Sequence, residues 1–326
     1  MRPRSSASSP GPAGRACGPA ADRTERGPPS SAPTRPTTSS RTAPGCANTA
    51  SPSGSPGRQL VHWTDRLIDL PDELVLPYDR PRPATDSHQG SDLALWIDAR
   101  LHAALADLAS RAGASLFMVL NAGLAALLTE RGAGTDICIT SPVAGRTDQA
   151  LDDLVGCFIN VVVLRTDTSA DPSFAQLLER VRETALAAYA HQEVPFGHLA
   201  KALKPTPRCL TQVRLILQNT PEYDFDLPGM RVREVVAPTG TAKVDFGISL
   251  TEREHADGSL AGLDGVIQFR TDLFDERTVG DLATRWVRLL KAAVESPDKP
   301  LSELTTSDAP GDTQPDAVRA LSVNPQ

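Results

Sequence analysis

Asp153-Leu-Val-Gly-Cys-Phe-Ile-Asn-Val-Val-Val-Leu-Arg-Thr-Asp167, the stretch after it, and His191-Gln192-Glu193-Val194-Pro195-Phe196 decide how this chain folds. Cys157 to Leu164 is almost continuously apolar, which predicts a strand covered on both faces. Asp171-Pro172 then opens a helix with a cap and a proline at its first position. Its apolar stripe of Phe174, Leu177, Leu178, Val181, Ala185, Leu186 and Tyr189 follows the helical period. A polar His-Gln pair ends the helix, and Pro195 starts a short one running to Leu203. Strand, covering helix and polar stop make one unit, and its end carries groups able to touch a substrate.

Upstream, His62-Trp63 belongs to a short helix that leads into Leu76-Pro77-Tyr78-Asp79-Arg80-Pro81-Arg82-Pro83. The X-Pro steps forbid helix there and favour an extended strap over a surface. Gly90 to Ile97 reads as a strand. Asp98 caps a helix with Leu101, Leu105 and Leu108 inward, ending at Gly113. Ser115 caps a second helix, apolar almost all round from Leu116 to Leu128 and ended by Gly132 and Gly134, which belongs in the middle of a core. Asp136 to Val143 is a strand, and Ala144-Gly145-Arg146 a turn. Further strands are expected at Gln212–Gln218, Met230–Val236, Lys243–Thr251 and Gly262–Thr271. A final helix from Asp275 to Val294 turns Val279, Leu282, Trp286, Leu289 and Leu290 inward. Strands and helices without regular βαβ alternation indicate an α/β sandwich with a mixed sheet.

Composition divides the chain. Residues 1–57 contain no Leu, Ile, Val, Phe, Tyr or Trp and cannot bury enough surface to offset chain entropy. They read as a disordered linker or as out-of-frame translation from a misplaced start, the second being preferred. Their seven Arg against Asp22 and Glu25 give +5, so with −7 overall the remainder carries −12. An acidic body argues against nucleic acid as the main ligand. The body is expected over 58–306, with a polar tail at 307–326. Five scattered cysteines without a CxxC pair suggest neither a disulfide framework nor a zinc site. Cys138 and Cys157, inside apolar runs, read as buried thiols. With no membrane-length apolar run and no visible signal peptide, the body reads as soluble and cytoplasmic.

Taken together, the body resembles the condensation domain of non-ribosomal peptide synthetases. Trp63 with the strap Leu76 to Pro83 is similar to the interdomain strap, and Pro142-Val143-Ala144-Gly145-Arg146 to the motif after the first core strand of the carboxy-terminal lobe. Gly156-Cys157-Phe158-Ile159-Asn160 resembles Gly-x-Phe-Val-Asn-Thr, with Val161 in place of Thr. His191-Gln192-Glu193-Val194-Pro195-Phe196 resembles His-Gln-Asp-x-Pro-Phe-Glu, with Glu193 for Asp and Gly197 for Glu. Lys243-Val244-Asp245-Phe246 and Asp272-Leu273-Phe274 follow in place. The resemblance runs from about Trp63 to Leu304, covering the strap and one lobe of the usual two. It implies a chloramphenicol acetyltransferase-like sandwich. It also implies an acyltransferase-type condensation in which carrier-bound thioesters meet in a tunnel and the downstream amine attacks the upstream thioester. No cofactor would be bound directly; phosphopantetheine would arrive on partner carrier proteins, and other synthetase modules would be further partners in making antibiotics and other secondary metabolites. Neither nucleic acid nor membrane is implied.

The family's catalytic His-His-x-x-x-Asp-Gly is absent from this sequence, whose histidines are His62, His88, His102, His191, His198 and His255. The expectation is therefore no catalysis by this chain alone and no catalytic residue in it. The alternatives are a docking module for a carrier or synthetase partner, or an inactive remnant. Arg146, Gly156, Asn160, His191, Gln192 and Asp245 are the tunnel or motif candidates. For His191 and Gln192, capping of the preceding helix is preferred over lining a tunnel, since a helix C-terminus favours histidine. Asn160, interrupting an apolar strand, should hydrogen-bond a crossing segment. Arg146 should pair with a carboxylate such as Asp153 rather than grip a carrier phosphate. Gly156 should permit a bend or close approach, and Asp245 a structural hydrogen bond in the sheet. Arg208-Cys209-Leu210-Thr211 departs from the family's Arg-x-Pro-Leu-Phe, suggesting local drift, and a reactive Cys157 or Cys209 lacks a paired base.

Overall fold

Asp98 and Ser115 do what their side chains predict. Each accepts from the backbone N–H three residues on, opening α2 (Ala99–Arg111) and α3 (Leu116–Glu130). The computed structural model describes residues 56–151, 153–204, 206–218, 230, 239–255, 257–304 and 318–319. Every residue of α3 from Met118 to Leu128 is buried, so this helix is the core's axis. It packs between α4 (Phe174–Ala190) and α6 (Glu276–Glu295), with α2 alongside.

These helices lie against a seven-stranded mixed sheet of order β3-β2-β4-β5-β6-β1-β7. The strands are β1 (Gly90–Ile97), β2 (Asp136–Val143), β3 (Asn160–Asp167), β4 (Val213–Gln218), β5 (Phe246–Glu254), β6 (Leu260–Arg270) and β7 (Val318–Arg319). The β2–β4 and β4–β5 pairs are parallel and the rest antiparallel. Val162 and Leu164, Val213 and Leu215, and Ile248 and Leu250 join the core. Fully burying each such side chain contributes about 1.5–3 kcal/mol before entropy is counted. The remaining helices are short: α1 (Pro56–Arg66), α5 (Phe196–Ala202) and α7 (Leu301–Leu304). Among the described residues no single helix is long and apolar enough to cross a membrane.

Several boundaries differ from expectation. The apolar run enters the sheet at Asn160 rather than Cys157, because Val143–Asn160 is the last register pair with β2. Cys157 is consequently exposed, not buried. The cap of α4 is Ser173, in a reciprocal capping box with Gln176, rather than Asp171. Asp171 instead accepts from the backbone N–H and the hydroxyl of Ser302, fastening α7. Leu186 faces solvent although the stripe placed it inward. The strand expected at Lys243 begins at Phe246, since the residues before it serve the strap. The strand expected at Met230–Val236 lies, beyond Met230, outside the described residues. So do residues 1–55 and nearly all of 307–326.

Candidate functional site

The strap is locked to the sheet by one carboxylate. Asp245, almost fully buried, accepts from Tyr78 Oη at 2.7 Å and from Arg82 through Nη1 at 3.2 Å and through Nη2. Tyr78 Oη also receives Gln212 Nε2 at 2.7 Å, and Gln212 exchanges hydrogen bonds with the Leu74 backbone at 2.7 and 2.9 Å. Burial, and the Asp245 charge after it, push the Tyr78 phenol well above its ordinary range. Beside this lock Arg270 grips Asp272 at 2.6 Å and Asp86 at 2.8 Å. The Arg270 hydrogen bond holds the Asp272 carboxyl down at about 2. A cavity of about 160 Å³ opens here, lined by Arg82, Asp86, His88, Arg208, Lys243 and Asp245 among others. Arg208–Thr211, where the sequence departs from the family's pattern, borders this cavity through Arg208 and Thr211. These residues form a 3₁₀ turn whose Arg208 and Cys209 N–H groups both reach Asp72 O, at 2.6 and 3.2 Å.

A second clamp joins β3 to the segment after α4. Asn160 Nδ2 donates to Gln192 O and Val194 O, each at 2.7 Å, and its Oδ1 accepts from Phe196 N at 3.0 Å. All of the amide's main valences thus go to the crossing segment. Trp63 Nε1 donates to His191 O at 2.8 Å, and Gln59 Nε2 reaches Glu193 at 3.0 Å, so α1 is stitched to the same place. The His62 and His191 rings stack with centroids 3.7 Å apart. Burial, then the neighbouring His191, lowers the pKa of His62. The end of α4 is satisfied by the backbone N–H groups of His191 and Gln192 and not by their side chains; His191 Nδ1 is buried without a partner.

Arg146 corrects its expectation. It forms no pair with Asp153 but donates to the carbonyls of Leu151, Leu154 and Gly156 and lies 4.4 Å over the Phe158 ring. Gly156 sits at a bend, as expected, and a tighter backbone approach is found at Gly145. Its φ is +69°, and a Cβ there would fall 1.9 Å from Phe158 O. The Arg146-centred loop carries Leu154, Val155 and Ile159 outward.

The structure therefore groups Asn160, His191 and Gln192 at one clamp, next to the loop of Arg146 and Gly156, and gives Asp245 to the strap lock. Sequence reasoning named no role for Tyr78, Gln212 or Arg270. The available signal was a glutamine next to the apolar run from Val213 and a Tyr–Arg pair within the strap. The cysteine nucleophile finds no support in geometry. Cys209 is buried against Cys138, whose thiol is pushed up by that hydrogen bond and by burial.

Comparison with known proteins adds an independent line. The family model described as "Condensation domain" matches residues 52–314. The chain is 51% identical over 257 residues to a probable non-canonical nonribosomal peptide synthetase, CymA, of Salinispora arenicola, covering 78% of this chain and 3% of that protein. It is 48% identical over 250 residues to the dimodular nonribosomal peptide synthase of Bacillus subtilis, covering 76% of this chain and 10% of that one. Among solved structures, the X-domain from teicoplanin biosynthesis superposes with a TM-score of 0.72 at 34% identity, over 78% of this chain and 58% of that chain. That X-domain has also been solved in complex with OxyB, where the TM-score is 0.70. The expected α/β sandwich with a mixed sheet, like chloramphenicol acetyltransferase, is the fold observed. The chain spans only a small part of the synthetases it matches.

Proposed function

This chain belongs to the condensation-domain family, and from that premise we propose that residues 58–306 act as the strap and carboxy-terminal lobe of a condensing unit in peptide natural-product assembly. The partners are peptidyl or aminoacyl carrier proteins, each presenting a thioester on phosphopantetheine. The reaction is attack of one amine on the other thioester, which forms an amide and releases a thiol. It requires the amine neutral and aimed. A free α-amine has a pKa of about 7.7–8.0, so positioning matters as much as a strong base. The observation that supports this reading best is the Asn160 clamp. Two stretches that carry the family's motifs meet there through three hydrogen bonds, giving the lobe a rigid edge next to the strap helix. No His-His-x-x-x-Asp-Gly occurs in this sequence, so the general base is assigned to a companion lobe.

The test is amide formation between two carrier-loaded thioesters, with the chain alone and with a separate lobe bearing that motif. Product is expected only with the added lobe. Absence of product in both mixtures, with no carrier binding, would sink the reading; product from the chain alone would move the base into it.

A second reading, a docking module, is favoured by the 34% identity to an X-domain solved with OxyB. Calorimetry against carrier protein and against OxyB separates the two. Carrier binding without OxyB binding supports the condensing unit, and the reverse supports docking.

A further inference from the structure

Arg214 stands in the middle of the sheet without a counter-charge among the described residues. Alternation along β4 sends Val213 and Leu215 into the helix-covered core and leaves Arg214 and Ile216 on the opposite face. Its register partners are Thr140 of β2 and Gly247 of β5. Gly247 is paired in turn with Gln268 of β6. Gly247 adds no side chain, so Val244 leans over it beside the Arg214 stem. The face continues along β5 and β6 as Ser249, Thr251 and Val266, all partly exposed.

The guanidinium Nε is shut off from solvent and has no hydrogen-bond partner among the described residues. Burial lowers its pKa, with no carboxylate among the described residues acting against that shift. Arg82, Arg165 and Arg270 behave differently: each holds a carboxylate, of Asp245, Asp136 and Asp272 respectively. A partly desolvated cation left unpaired is costly, so its retention calls for an anion from outside the described residues.

We propose that Arg214 anchors a monoanionic oxyanion on a ligand lying along this sheet face, either the carboxylate of an acidic acyl or aminoacyl thioester or the phosphate diester of the pantetheine arm that carries it. The planar fork of arginine receives two oxygens of such a group side by side, which a lysine cannot match. The ligand's identity rests on the condensing reading above; the need for an anion does not.

The experiment measures equilibrium binding of glutamyl and glutaminyl thioesters of pantetheine and of its methyl phosphodiester to the full chain, Arg214→Met and Arg214→Lys. The parent chain is expected to prefer either the glutamyl or the phosphorylated form by at least about tenfold. That preference should vanish in Arg214→Met and return in part in Arg214→Lys. A glutamyl preference assigns the carboxylate; a phosphate preference assigns the arm. If both ratios survive in Arg214→Met, the proposal is overturned. If the parent binds no thioester, the condensing reading fails, and free glutarate monoester and dimethyl phosphate decide the matter. Arg214-dependent binding of either upholds the anion site, and equal binding to parent and Arg214→Met overturns it. The Met variant should melt no lower than the parent, because it removes a cation unpaired among the described residues; if it does not fold, a preference in Arg214→Lys reduced below the parent's serves as the readout, and an unreduced one overturns the proposal.

Discussion

Asp245 and Asn160 each interrupt or border an apolar run, and each side chain makes three hydrogen bonds to distant segments, Asp245 accepting all three and Asn160 donating two and accepting one. Removing the charge from Asp245 takes away the buried partner of Arg82, leaving it the more exposed Glu73 and Asp86, and also weakens the hold on Tyr78. Weakening these charge-assisted hydrogen bonds costs about 1.5–3 kcal/mol, so Asp245→Asn should lower the urea midpoint accordingly, with Tyr78→Phe costing only about 1 kcal/mol. Equal midpoints for Asp245→Asn and the parent would show that the strap is held elsewhere. Asn160→Ala orphans the carbonyls of Gln192 and Val194 and the N–H of Phe196, at about 2–3 kcal/mol. Its check is the same urea series, together with faster amide exchange at Phe196. Both residues are legible in the sequence as polar groups against apolar neighbours. Their partners are not, because hydrogen-bond acceptors on a crossing backbone leave no mark on residue type.

At the scale of elements, the loop between β2 and β3 is built around a guanidinium. Arg146 gathers three carbonyls while Gly145 passes under Phe158 O. Gly145→Ala places a Cβ into that carbonyl at a positive φ, a double penalty of at least about 2 kcal/mol. The Gly145→Ala melting temperature should drop and exchange in residues 144–159 should speed up, whereas Gly197→Ala, with open space around it, should do neither. The junction of α1 with the end of α4 responds to pH. His62 stacks on His191, next to Arg66 and Asp65, and its folded pKa lies below the ordinary 6.5. A depressed folded pKa means that the unfolded chain binds the proton more readily. The stabilisation is therefore complete above about pH 6.5 and is lost as pH falls through the lower folded value. Unfolding free energy should decline below pH 6.5 in the parent and decline less in His62→Phe; parallel curves would remove His62 as the cause. The run from Cys157 to Leu164 misled at its start because apolarity marks burial partners and not strand ends, and Phe158, half-buried, packs under Arg146 instead of in the sheet.

Across the whole molecule, one layer of helices on one sheet places the deepest protection at their shared axis. Amides of α3 from Val119 to Leu128 and of β5 from Gly247 to Leu250 should exchange only through global unfolding, and those of the Arg146 loop far earlier. Native-state exchange read against denaturant checks this; early exchange in α3 would mean that the helix layer opens before the sheet. By itself the sequence determined the helices and most strands, since hydrophobic period, caps and prolines act within a few residues of where they stand. It also determined the family, through motifs in order, and the polar residues worth watching. Tertiary structure alone decided which carboxylate locks the strap, that Arg146 serves carbonyls rather than Asp153, and that Arg214 has no counter-charge among the described residues. Those outcomes depend on which distant groups share a small volume of low dielectric, and such proximity follows from the packing of the whole chain.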